Sequence, residues 1–302
     1  MKTLSAVIRR NVALFFKDKG MLFTSLITPM ILLVLYTTFL GNVYRDAFVS
    51  AFPEGMPLSD AVERAVDGCV GGQLLSSLLA VSCVTVAFCS NLLMVQDKVT
   101  GVRTDLTIAP VKPSLLALGY YISTALVTLI ICLVALGAGL GYLGAIGFYL
   151  SALDVLMLVL DVLLLVLFGT ALSSIVNYFL SSQGQISAVG TIVSSGYGFI
   201  CGAYMPISSF GEGLQTALSF LPGTYATSLM RNHAMRGAMD EMVAKGLPEQ
   251  MIEGLRDAVD CNVYFFGKAV SEGAMLAIVG ATVALLMLVY LLMNLKNKKR
   301  VR

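Results

Sequence analysis

Charge is what this sequence has least of. Only 13% of its residues are Asp, Glu, Lys or Arg, against roughly 25% in an ordinary soluble domain. Between Pro113 and Gly211, 99 residues carry just two charged side chains, Asp154 and Asp161. That excludes a water-soluble domain of ordinary composition. Other absences narrow the function. No G-x-x-x-x-G-K-[ST] sequence occurs, so the chain cannot hold ATP in the P-loop manner. The one histidine, His233, has no second His or Cys close by, which argues against a metal site. No internal repeat is visible, so the inverted-repeat signature of many secondary transporters is missing. Gly139-x-Gly141-x-x-Gly144 matches a dinucleotide fingerprint only formally, because no strand precedes it.

What remains is apolar length. Hydrophobic residues make up 57% of the chain, in runs that do not alternate polar and apolar positions as the strands of a membrane barrel do. A bilayer core of ~30 Å needs roughly 20 apolar residues per helix. Six spans are predicted, at 21–43, 72–94, 114–140, 154–176, 185–207 and 273–295. The fold class is therefore all-α and polytopic, a single transmembrane domain over 1–302. Residues 1–20 place Leu4, Ile8, Val12 and Phe15 or Phe16 at helical spacing among Arg9, Arg10 and Lys17, the pattern of an interfacial helix. Pro29 is expected to kink the first span.

The charges present are distributed unevenly. The N-terminal arm, the 95–113 segment and the C-terminal tail hold 13 of 20 basic residues with only three acids, Asp18, Asp97 and Asp105. The segments 44–71 and 208–272 hold seven basic residues and thirteen acids. By the positive-inside bias both termini and 95–113 are expected in the cytoplasm. The long outer segment 208–272 reads as a helix, a break at Pro222 and a second helix dipping partway into the bilayer. After Pro248 comes an amphipathic helix with Met251, Ile252, Leu255, Ala258 and Val259 on one face.

Asp154 and Asp161 are seven residues apart and share one face of the fourth span. A carboxylate deep in a bilayer costs roughly 2.5–3.5 kcal/mol on insertion scales, so it turns toward protein or water. For Asp161 two readings stay open, a polar contact to another helix and a place on a translocation path. Gln185, Ser194 and Tyr197 add polar atoms in the fifth span. Gly137/Gly141 and Gly198/Gly202 read as small-xxx-small positions for close helix approach. Cys69 and Cys261 both fall on the expected outer side, where a disulfide is chemically permitted; a bridge and two free thiols both stay open.

The stretch Gln96-Asp97-Lys98-Val99-Thr100-Gly101-Val102-Arg103-Thr104-Asp105-Leu106-Thr107-Ile108-Ala109-Pro110-Val111 resembles the coupling-helix segment of type-2 ABC-transporter permeases. Lys17-Asp18-Lys19 followed by Pro29 resembles that family's connecting helix and first span. Tyr204-Met205-Pro206, then Phe220-Leu221-Pro222-Gly223-Thr224-Tyr225 and Leu229-Met230-Arg231, resemble its re-entrant segment before the last span. Residues 232–272 match nothing in that pattern. The resemblance implies the transmembrane subunit of an ATP-driven exporter in the plasma membrane, itself not an enzyme. It implies a separate ATP-binding subunit that holds ATP and Mg, and a second permease copy or a related permease. Membrane lipid is the remaining partner, and no nucleic acid is expected. Asp97, Lys98, Gly101, Arg103, Asp105, Leu106 and Pro110 would then couple to the ATPase, with the first, second and fifth spans lining the path. The chief alternative is an ion-coupled secondary transporter using Asp161.

Overall fold

The computed structural model describes residues 2–50, 52, 59–108, 111 and 113–297. Pro110 and the tail residues 298–302, four of them basic, lie outside them. The elements run α1 (Lys2–Lys17), α2 (Lys19–Leu35), a π-helical turn (Tyr36–Leu40), α3 (Gly41–Ser50), α4 (Asp60–Val99), α5 (Val102–Ile108), α6 (Pro113–Ile146) and α7 (Ala152–Phe179). Then come α8 (Gln183–Ile200), a 3₁₀ turn (Ile207–Ser209), α9 (Glu212–Leu218), α10 (Pro222–Ala244), α11 (Glu249–Ala258), a two-stranded hairpin β1 (Tyr264–Phe265) and β2 (Lys268–Ala269), and α12 (Glu272–Asn297). Among the described residues, five helical stretches are long and apolar enough to cross a membrane: Lys19–Ser50, Asp60–Val99, Pro113–Ile146, Ala152–Phe179 and Glu272–Leu295. The all-α polytopic fold expected from composition is the one found.

The expected fifth span is shorter than predicted. α8 has 18 residues, a length of about 27 Å, and Gln183, Gln185, Ser187, Thr191, Ser194 and Ser195 dilute its hydropathy. It ends because Gly202 takes φ +75°. The Ala203 and Gly202 amides bond back to the Gly198 and Phe199 carbonyls at 2.8 and 3.3 Å, the Schellman pattern that closes a helix. Gly198 and Gly202 thus build a turn and not a helix crossing, and Gly137 and Gly141 face open space. The close approaches fall elsewhere. A Cβ on Gly72 would meet the Ala234 carbonyl of α10, and one on Gly169 the Cys83 carbonyl of α4, at 2.7 and 2.8 Å.

α4 is the axis of the molecule. Forty residues make it about 60 Å long, and 89% of its apolar window is buried. It touches α2, α6, α7, α8 and α10. The main core gathers on it from Leu75, Leu79, Val84 and Phe88, with Leu158, Val162 and Leu165 of α7 and Met230 of α10. On α1, Val7, Asn11 and Phe15 are buried where the helix packs on α6, and Leu4, Ile8 and Val12 of the expected stripe are half-buried beside them. The reason is Gly119, whose missing Cβ makes room for Val7.

The break expected near Pro222 is present, between α9 and α10, with the proline in the first turn of α10 where its missing N–H costs nothing. Sixteen of the 23 residues of α10 are buried, including Arg231, Asn232 and His233. α11 buries Ile252 and Leu255, the face read from the sequence. Cys69 and Cys261 are free thiols in one buried cluster with Met235, Met239 and Val259. Burial pushes the Cys261 thiol up to about 12, so it stays protonated. α10 passes so close to the 147–151 connection that a Cβ on Gly237 would overlap the Tyr149 carbonyl oxygen. Gly237→Ala is therefore expected to destabilise by about 1–3 kcal/mol, read as a lower thermal midpoint of the solubilised protein; an unchanged midpoint would refute the contact.

Candidate functional site

Three clusters of polar side chains sit on this frame, one at each end of α4 and one beside it. At the C-terminal end, Asp97 is 4% exposed and turned inward. Arg10 of α1 grips it with two nitrogens, at 2.8 and 3.0 Å, and the Tyr120 hydroxyl of α6 donates at 2.5 Å. Arg10 also donates to Asn11 at 2.9 Å, and Asn11 to Ser123 at 3.2 Å. The hydrogen bond to Asp97 holds the Arg10 guanidinium above its ordinary pKa. Lys98 points to the other side. Its Nζ donates to the carbonyls of Asn177, Tyr178 and Leu180 at 3.0, 2.8 and 3.2 Å and stands 5.6 Å from the Tyr178 ring centre. Those carbonyls end α7, where a helix dipole favours a cation.

These two side chains are two of the four expected coupling charges, and both are engaged inside the chain. Asp97 joins α4 to α1 and α6; Lys98 joins it to the α7–α8 turn. Gly101, at φ +83°, then turns the chain: its carbonyl accepts from the Thr104 and Asp105 amides at 2.8 and 3.3 Å and starts α5. Among the described residues, the helix of the expected coupling segment is the seven-residue α5. Asp105 is exposed and Arg103 half-buried. Leu106 packs partly against the cluster of Val7, Met94, Leu116 and Tyr120.

Beside α4 lies a groove of about 1200 Å³ between α2 and α8. Ile31, Leu32, Leu35 and Phe39 line one wall, with Thr24 and Thr28; Ser187, Thr191, Ser194, Ser195 and Phe199 line the other. Among the described residues, no charged side chain lines it. The hydroxyls of Thr191 and Ser195 donate to carbonyls four residues back at 2.9 and 2.7 Å, which lets polar atoms sit in an apolar wall.

Of the expected path residues, only Ser194 reaches this groove. Gln185 accepts from the Ser181 amide at 2.8 Å in the turn before α8. Tyr197 is buried against Gly223 of α10. Asp161 is buried between helices, with Oδ2 at 2.6 Å from Nδ1 of His233. This is a polar contact between α7 and α10.

At the N-terminal end of α4, α10 carries a buried ion pair. Arg231 is 1% exposed and donates to Asp260 at 3.1 Å and to the Gly202 carbonyl. Asp260 accepts from the amides of Ile207 and Ser208. Arg236 reaches Glu272 of α12 at 2.7 Å and Asp154 of α7 at 3.6 Å. Arg256 donates to Asn232 at 2.8 Å. Sequence reasoning missed Arg10, Tyr120, Arg231 and Asp260. Arg10 was hidden in a basic arm, whereas Arg231 had one signal, a lone charge in the otherwise uncharged run from Gly213 to Met235 apart from His233.

A search among curated proteins finds no match. The family model described as ABC-2 type transporter matches residues 2–234, from α1 through the first half of α10 and so over two of the three clusters. On that match the chain belongs to the ABC-2 type transporter family.

Proposed function

We propose that this permease subunit is the membrane half of an ATP-driven exporter in the plasma membrane, with both termini and α5 in the cytoplasm. A separate ATP-binding subunit binds ATP and Mg and docks on α5. A second permease copy, or a related one, faces the groove between α2 and α8, and the two grooves together make the pathway. The observation that carries this reading is the placement of Lys98. It stands at the end of α4, three residues before Gly101 and α5, and holds the carbonyls that immediately precede α8. A displacement of α5 by the ATPase would thereby reach the polar wall of the groove as a rigid-body shift. The ion-coupled reading needs Asp161 on the pathway, but its carboxylate lies on His233, away from the groove.

The test is recovery of the ATP-binding partner from the native membrane with the tagged full chain. Wild type is expected to bring down an ATPase in stoichiometric amount. Arg103→Glu with Asp105→Arg, which reverses charge on the outer side of α5, is expected to lose it at least tenfold with the thermal midpoint unchanged. A folded wild-type chain that brings down no ATPase under mild solubilisation would overturn the reading.

A further inference from the structure

The hairpin before α12 has a turn its sequence does not favour. Tyr264 pairs with Ala269 and Phe265 with Lys268, so Phe266 and Gly267 alone make the turn. Their φ angles are +48° and +76°. A two-residue hairpin turn with both φ positive is the type I′ turn, in which Asn, Asp or Gly is preferred at the first position. A bulky side chain in the left-handed region is an outlier. Burial inside the chain does not offset that strain. Phe266 is 73% exposed, the most exposed large hydrophobic side chain among the described residues.

It does not stand alone. Phe265 lies 4.8 Å from it, ring centre to ring centre, and Phe220 6.0 Å; Phe265 and Phe220 are 5.2 Å apart. All three contacts are edge-to-face, the favourable geometry for aromatic pairs. Phe220 is itself 59% exposed and sits in the break between α9 and α10. Two distant parts of the chain thus bring rings to one outward point. Lys268, also exposed, stands beside them.

We propose that Phe220, Phe265 and Phe266 form a lipid-interface anchor, seated at the headgroup–acyl boundary of the leaflet that α12 enters first. The occupant is the bilayer itself. Continuity with a span argues for it: β2 ends at Ala269 and α12 begins at Glu272. At about 3.3 Å per residue, the turn stays within roughly 20 Å of the first residue of α12. Glu272 is held by Arg236 and Arg256 at 2.7 and 3.6 Å, which fixes the start of α12 at a polar surface with apolar helix beyond. The layer between hydrocarbon and water is where aromatic side chains concentrate, and this chain has no tryptophan to supply there. Lys268 next to the rings suits lipid phosphate. In water the same cluster would be an exposed apolar patch without a partner. The proposal needs only that α12 spans the membrane and stands apart from the transport reading.

The absence of tryptophan makes the test direct. Phe266→Trp in the full chain, in phosphatidylcholine nanodiscs, provides a single fluorescent reporter; Glu253→Trp on the exposed side of α11 serves as the solvent control. The Phe266→Trp variant is expected to emit to the blue of the control. Bromines placed high on the acyl chains should quench it at least twofold more than bromines near the chain ends, and aqueous iodide should quench it at least threefold less than the control. Full iodide quenching without bromolipid quenching would overturn the proposal, leaving the knob in water. Shielding from both quenchers would also overturn it, in favour of contact with a second copy. Phe266→Asn supplies an independent arm. Asn suits the turn, so the thermal midpoint is expected to hold or rise, while a Phe265→Trp reporter in that background loses at least half its bromolipid quenching. Quenching that persists undiminished would count against the anchor.

Discussion

Arg231→Met is expected to cost the folded protein about 3–5 kcal/mol, the usual penalty for leaving one partner of a buried ion pair without the other. Arg231 is 1% exposed and Asp260 6%, so neither charge can turn to water. The Asp260 carboxylate would keep the Ile207 and Ser208 amides but lose its counter-charge. The Gly202 carbonyl, which closes the turn after α8, would lose the guanidinium. Damage should therefore spread from α10 to both neighbouring turns, exposing the 201–209 and 258–263 segments to protease before the rest. The measurement is the thermal midpoint in detergent by circular dichroism, with limited proteolysis. Arg231→Met together with Asp260→Leu removes both charges and is expected to recover a substantial part of the loss, since a buried pair contributes less than breaking it costs. A single-variant shift of under ~2 °C would mean the pair is already solvated.

Lys98→Met tests transmission directly. Methionine keeps much of the side-chain length and apolar stem but abandons three carbonyls at 2.8–3.2 Å. The loss of a cation at a helix C-terminus is modest, about 1–2 kcal/mol, so the fold should survive. Export in proteoliposomes containing the partner ATPase is expected to fall at least tenfold, with ATP hydrolysis and subunit assembly within twofold of wild type. Lys98→Arg, which keeps donors at the same place, should retain part of the transport. Equal losses of hydrolysis and transport would place Lys98 in assembly; unchanged transport would remove it from the coupling route.

The parts of this molecule that were legible in its sequence share a physical cause. A run such as Pro113–Gly211 has no solvent in which to fold except lipid, so helices and their approximate positions follow. Pro222 marks a break because its backbone preference is local. What stayed hidden depends on partners distant in the chain. Asp161 and His233 are 72 residues apart and Arg10 and Asp97 are 87 apart. The acceptors for Lys98 are backbone carbonyls, which leave no mark on residue identity. Its polarity placed it on a loop surface, when its charge was complementary to a helix end. Spacing suggested Gly137 and Gly141 as crossing points, yet the pattern cannot say which face meets a neighbour, and Gly72 and Gly169 hold that role. The helix after Pro222 was expected, but not its extension to Ala244 or the burial of Asn232 and His233.

α4 sets a problem of timing for biosynthesis. Its buried face carries Gln73, Ser76, Ser77, Thr85, Ser90 and Asn91, groups poorly matched to hydrocarbon until neighbours cover them. The neighbours on its first half come from α10, residues 222–244, translated more than a hundred residues later. A helix made early is completed late. The nascent chain must therefore hold α4 against water, lipid headgroups or the insertion machinery through most of its synthesis, and truncations that stop before α10 should be cleared by quality-control proteases even though four of the five long apolar stretches are already present.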